Sequence, residues 1–142
     1  MRVVLDTDVV VAGLRSRQGA SRAWLRAVLL REVELVLSVP LILQYEAVLM
    51  RPGTLAAIKG STERVGRLLD ELCAVARPCE ISFLWRPMLR DPDDEMVLEA
   101  AVQGDADRLL TFNLRDFAGA ERLGVSAQRP GPAWRAWQER GG

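Results

Sequence analysis

Histidine is absent from the 142 residues. Its absence excludes a Ser-His-Asp triad, a histidine general acid and any zinc centre with histidine ligands. Lysine is almost absent too. Lys59 is the only one among 19 basic side chains, so arginine carries nearly all of the positive charge. The two cysteines, Cys73 and Cys79, lie outside any CxxC spacing and read as reduced thiols of a cytosolic chain rather than a disulfide framework. No apolar run approaches the roughly 18 residues that a membrane span needs. The apolar start Val3–Leu5 is broken by Asp6 and Asp8 before a signal-peptide core can form. The expected location is therefore the cytoplasm, with no membrane partner. Internal repeats, low-complexity stretches and linkers are also missing.

What is present is a globular composition: 49% hydrophobic and 27% charged residues, enough to build a core and too apolar for a disordered tail. Acids and bases balance at 19 each, so bulk charge does not announce a nucleic-acid binder. One domain over residues 1–128 with a C-terminal tail over 129–142 is expected. Arg2–Asp6 reads as a buried strand, followed by a brief apolar segment, Val9–Leu14. Ser21 can cap a helix running to about Arg31, with Trp24, Leu25, Val28 and Leu29 on its apolar stripe. Glu34–Ser38 reads as a strand, Pro40 opens a helix through Met50, and Ser61–Arg77 is the clearest amphipathic helix. Strand pieces are expected at Glu80–Leu84 and Pro87–Leu89. A helix at Asp93–Gln103, ended by Gly104, precedes strands at Arg108–Phe112 and Val125–Ala127. Strands alternating with helices imply an α/β fold, a parallel sheet covered on both faces, whose sites lie at the carboxyl ends of the strands.

The acids fall at those ends. Asp6 closes the first strand, Thr111 and Asn113 close the strand before Asp116, and Asp91, Asp93, Asp94 and Glu95 open a helix. A lone Asp at a helix start is ordinarily a cap. Glu46 is different: Ile42 lies four residues before it and Leu49 three after, which puts a carboxylate on an apolar stripe. Asp94 has the same character, since Val97, Leu98 and Ala101 continue its face. Burying such groups costs several kcal/mol unless they are paired or metal-bound. Carboxylates converging on one pocket are relieved by a divalent cation, and oxygen ligation suits Mg²⁺ or Mn²⁺. An ion held this way mostly serves phosphoryl chemistry.

Four segments together resemble the PIN domain family: V-L-D-T-D-V at 4–9, Glu46 in mid-helix, D-D-E-M-V-L-E-A-A at 93–101 and L-L-T-F-N-L-R-D-F at 109–117. The likeness is strongest to the toxin components of bacterial toxin–antitoxin pairs, VapC-type ribonucleases among them. The resemblance implies a three-layer, Rossmann-like PIN fold. It also implies Mg²⁺- or Mn²⁺-dependent cleavage of single-stranded RNA by a homodimer restrained by an antitoxin. It places the four family acids, catalytic and metal-holding, on Asp6, Glu46, Asp94 and Asp116. Thr111 matches the hydroxyl residue beside the metal, and Asn113 the polar position two residues on. One departure stands out. The family usually has Asn two residues after its first acid, and Asp8 occupies that position. A carboxylate cannot donate the hydrogen bond an amide would unless it is protonated.

Two other readings compete. D-T-D-V-V after a strand resembles the first motif of haloacid-dehalogenase-like phosphatases, with Asp6 as nucleophile and Asp8 as acid/base. That family needs a lysine and an acidic pair after its threonine, whereas Asp93 and Asp94 precede Thr111 and no lysine follows it. The other alternative is a catalytically weak PIN-like domain that binds a protein partner. Arg15, Arg17, Arg86, Arg90, Arg115 and Arg122 are candidates for phosphate contacts. Trp134 and Trp137 give the tail an apolar pair that can dock on its own core, a second copy or an antitoxin.

Overall fold

The computed structural model describes residues 1–80 and 91–142. Its elements run β1 (Arg2–Leu5), α1 (Thr7–Arg15), α2 (Ala20–Leu29), β2 (Glu34–Leu37), α3 (Val39–Leu49), α4 (Pro52–Ile58) and α5 (Thr62–Val75). They continue with β3 (Arg77–Pro78), α6 (Pro92–Gln103), β4 (Arg108–Leu110), β5 (Ala127–Gln128) and α7 (Pro130–Glu139). Two short 3₁₀ turns, Leu114–Phe117 and Ala120–Leu123, lie between β4 and β5.

The strands form one parallel sheet in the order β3-β2-β1-β4-β5. Val3, Val4 and Leu5 are all fully buried, as are Leu35 and Val36 in β2 and Leu109 and Leu110 in β4. Successive strand residues point to opposite faces, so burial of every one requires helices on both sides of the sheet. Each such Val or Leu contributes about 1.5–3 kcal/mol of apolar burial. The expected three-layer α/β architecture with a central parallel sheet is what the chain adopts. The order reverses at β1, whose neighbours are β2 on one side and β4 on the other. That reversal opens a crevice beyond the carboxyl ends of β1 and β4.

Close packing holds the helices together and on the sheet. A Cβ on Gly13 in α1 would lie 2.4 Å from Leu25 Cδ1, so glycine lets α1 and α2 cross closely. A Cβ on Gly104 would lie 2.2 Å from Val36 Cγ1, which explains why α6 ends in glycine against β2. Tyr45, the only tyrosine, is fully buried and donates its hydroxyl hydrogen to the Leu5 carbonyl, tying α3 to the last residue of β1.

Several elements differ from the sequence reading. Val9–Leu14 belongs to helix α1, which Asp6 caps by accepting from the Thr7 N–H at 2.8 Å. Ser21 lies buried inside α2; the cap position is Gly19, at φ 113, a left-handed-side conformation suited to glycine. Helix α4 stands where no element is expected, and Arg77–Pro78 forms β3 rather than the end of a helix. The strand pieces at Glu80–Leu84 and Pro87–Leu89 fall outside the described residues apart from Glu80, as do Arg86 and Arg90. The tail is helix α7 and it docks on its own fold. Trp24 stacks on Trp137 at 5.4 Å, meets Trp134 edge-on at 5.1 Å and donates its indole N–H to the Pro130 carbonyl at 3.0 Å. Among the described residues no helix is long and apolar enough to cross a membrane.

Candidate active site

β1 and β4 set the site. Leu5 pairs with Leu110, and the Asp6 N–H donates to the Leu110 carbonyl at 2.9 Å, so Asp6 and Thr111 leave the sheet side by side. Both are buried. The Thr111 hydroxyl donates to Asp6 Oδ2 at 2.7 Å and accepts from the Asn113 N–H at 3.0 Å. Asp6 Oδ1 accepts from Thr7 N–H. Each oxygen of Asp6 therefore holds one donor and keeps a lone pair for another partner.

Asp8, in the first turn of α1, closes a second circuit with the same loop. Its Oδ2 accepts from the Phe112 N–H at 3.1 Å and from Asn113 Nδ2 at 3.0 Å. The Asp116 N–H in turn donates to the Asn113 carbonyl at 3.0 Å, so the 3₁₀ turn carrying Asp116 hangs from a loop held by Asp6, Asp8 and Thr111. Asp8 thus accepts the bonds the loop offers, and a donating amide is not needed for them. Its other oxygen, Oδ1, is buried without a hydrogen-bond partner. Across the crevice, Asp91 caps α6 by accepting from the Asp93 N–H at 2.9 Å, which sets Asp94 in the first turn, half-buried.

The charges feel one another. Burial raises the Asp6 carboxyl above its usual range, and Asp116 and Asp91 add to the rise against the hydrogen bonds from Thr111 and Thr7. Asp94 is pushed up to about 6 by burial, then by Asp6, Asp91, Asp116 and Asp93. Asp8 is pushed up to about 7, by burial first and Asp6 second. Burial and the nearby Asp6 also hold the Tyr45 phenol well above its usual value, so it stays a donor. Among the described residues, no arginine or lysine forms an ion pair with Asp6, Asp8, Asp94 or Asp116.

Of the residues singled out from sequence, Asp6, Asp8, Asp94, Thr111, Asn113 and Asp116 share this crevice, with Asn113 and Asp116 on its exposed lip. Glu46 does not occupy the buried stripe expected for it. The buried face of α3 is Leu41, Tyr45 and Leu49, and Glu46, one residue round the helix, is exposed. The functional residue missed on this helix is Tyr45. A lone tyrosine four residues from two leucines was the available signal, since a buried hydroxyl needs a partner.

Among the described residues no three carboxylates stand close enough to form a ready-made ion cage. Mg²⁺ does not require one, because it commonly keeps several waters and takes one or two carboxylates. The donor set here is all hard oxygen and mutually repelling, and among the described residues it has no paired cation and Asp8 Oδ1 is buried with no donor. On that chemistry the residues fit a hard divalent cation.

Comparison with known proteins agrees with the fold. No curated protein matches the chain. Among solved structures, a chain of VapBC2 from Rickettsia felis, crystallised bound to a DNA fragment from the promoter, superposes with a TM-score of 0.60 at 12% identity. The match covers 91% of this chain and 98% of the other, and at that identity it speaks for the fold. Residues 2–115 match the PIN domain family, a span that takes in β1 through β4 and all of the crevice but Asp116. The chain belongs to the PIN domain family.

Proposed function

We propose that this protein is a Mg²⁺- or Mn²⁺-dependent endoribonuclease that cleaves single-stranded RNA, the toxin of a toxin–antitoxin pair. The observation that carries the reading is the set of mutually repelling carboxylates at the β1/β4 crevice, Asp6, Asp94 and Asp116, with no cationic partner among the described residues. Asp6, Asp94 and Asp116 would hold such an ion, and Glu46, exposed on α3, would help to orient the attacking water. A divalent cation bound there supplies a more acidic water and neutralises charge on the scissile phosphate. The protein's own residues do the rest. Thr111 holds one Asp6 oxygen in place and the Thr7 N–H the other, so the carboxylate is oriented before any ligand arrives. Asp8 and Asn113 fix the loop that delivers Asp116. Attack on the phosphodiester leaves a 5′-phosphate and a 3′-hydroxyl.

Membership of the PIN family leaves the phosphatase alternative without support. The fold likeness to a chain of VapBC2 supports an antitoxin as partner. In this reading the protein acts in the cytoplasm as a homodimer. A catalytically weak, partner-binding domain is the second reading, favoured by Asp8 in place of the family's usual Asn and by the balanced charge of 19 acids and 19 bases. Incubation with single-stranded RNA, with Mn²⁺ and with EDTA, separates the two. Metal-dependent cleavage supports the nuclease, and an inert protein that still captures a partner supports the binding domain.

A further inference from the structure

The acidic crevice raises a problem for a nucleic-acid substrate. A phosphodiester strand is negative, and its affinity for proteins comes largely from Lys and Arg side chains that neutralise phosphates. At the crevice itself no such cation pairs with the carboxylates among the described residues.

A cavity elsewhere supplies them. Between α1 and α2 on one side and α4 and α5 on the other lies a space of about 270 Å³, bordered by Arg22, Lys59 and Arg64 over an apolar floor that includes Leu14, Ile58 and Leu68. Among the described residues no acidic side chain lines it. None of the three cations forms an ion pair among the described residues. Arg22 donates its Nε–H to the Ser16 carbonyl at 3.3 Å, which holds the side chain and leaves its terminal nitrogens available. Lys59, the only lysine in the chain, ends α4 at φ 53, in the left-handed region where glycine sits without strain. Gly60 follows it directly, and Arg31 and Asp105 adopt the same conformation after α2 and α6. Helix α1 connects the two places: it starts at Asp6 in the crevice and reaches Leu14 at the cavity, about 12 Å along its axis.

We infer that this cavity is a phosphate-binding site that grips the backbone of the RNA strand beside the crevice. The assignment rests on the ribonuclease reading for its ligand, while the phosphate chemistry follows from the three cations alone. The apolar floor suits the sugar attached to the phosphate.

The test uses the double variant Lys59→Gly, Arg64→Gln in a cleavage-silent Asp94→Asn background. Lys59→Gly removes charge from a position glycine prefers, and Arg64 is exposed, so the melting temperature should hold. Binding of a labelled single-stranded RNA is followed by anisotropy across a salt series, and inorganic phosphate and a nucleoside diphosphate are titrated separately. The double variant should bind RNA about tenfold more weakly. Its slope of log affinity against log salt should be shallower by about 1.4, the loss of two phosphate contacts on a single strand. Unchanged RNA affinity and slope would overturn the site and leave the cavity to an acidic protein partner. If the unmodified protein neither binds nor cleaves RNA, but binds free phosphate or nucleotide in a way the double variant loses, the ribonuclease reading fails and the phosphate site stands with a free nucleotide as its source.

Discussion

Thr111 and Asp6, 105 positions apart in the chain, meet through a hydroxyl that donates to the Asp6 carboxylate at 2.7 Å while accepting from the Asn113 N–H. Parallel pairing of β1 with β4 makes that meeting unavoidable, since Leu5 and Leu110, the residues just before each, are in register. One side chain thereby fixes both a candidate metal ligand and the loop that presents Asp116.

Thr111→Val keeps the shape and removes both bonds. Loss of the fully buried hydroxyl leaves Asp6 Oδ2 and the Asn113 N–H short of a partner and should cost about 1–3 kcal/mol of stability. RNA cleavage and Mn²⁺ affinity should fall by about 10- to 100-fold, as with other groups that orient metal ligands. Thermal unfolding and a Mn²⁺ titration check both. Wild-type values for the two would show that the hydroxyl orients nothing.

Asp8 sets a pH dependence in the metal-free protein. Its carboxyl rises from 3.8 to about 7 on folding, so the folded state holds the proton more tightly. Stability from this group is full below about pH 4 and declines as pH climbs toward 7. Asp94, pushed up to about 6, adds a decline of the same sign. Asp8→Asn should flatten the curve and raise stability at pH 8 by roughly 1–3 kcal/mol, allowing for the solvent that still reaches the group. Melting temperatures at pH 5 and 8 in EDTA test it. A wild-type protein that grows more stable between those values contradicts the assigned burial.

Much of this was legible in sequence, because apolar runs mark β1, β2 and β4 and acids with a following glycine mark α6. The failures have physical causes. α3 is apolar nearly all round, with Val39 and Leu43 exposed, so spacing alone could not tell the Leu41–Tyr45–Leu49 face from the one holding Glu46. Ser21 carries the side chain of a good cap, yet the turn before α2 needs φ 113, which selects Gly19. Whether the acids would meet depended on strand register, and no local pattern encodes that.

Because Glu46 is exposed, Glu46→Gln should leave stability within about 0.5 kcal/mol of wild type. Cleavage should nevertheless drop by about 100-fold if the carboxylate orients the attacking water. Unfolding curves and single-turnover kinetics separate the effects. Full activity in this variant removes Glu46 from the catalytic set.

Truncation after Arg129 removes the two rings covering Trp24 and the carbonyl that accepts its indole N–H. The loss should be about 3–5 kcal/mol, comparable to emptying a large aromatic site, with a red shift of Trp24 emission. An unchanged melting temperature would mean that α7 contributes nothing to the fold.

The most direct test of the central claim is cleavage of a 5′-labelled single-stranded RNA by wild-type and Asp94→Asn protein, each with Mn²⁺ and with EDTA. Mapping the ends of the products completes it. Cutting is expected only from the wild-type protein with Mn²⁺, leaving 5′-phosphate and 3′-hydroxyl ends. Cutting that persists in EDTA, or in Asp94→Asn, would contradict that claim.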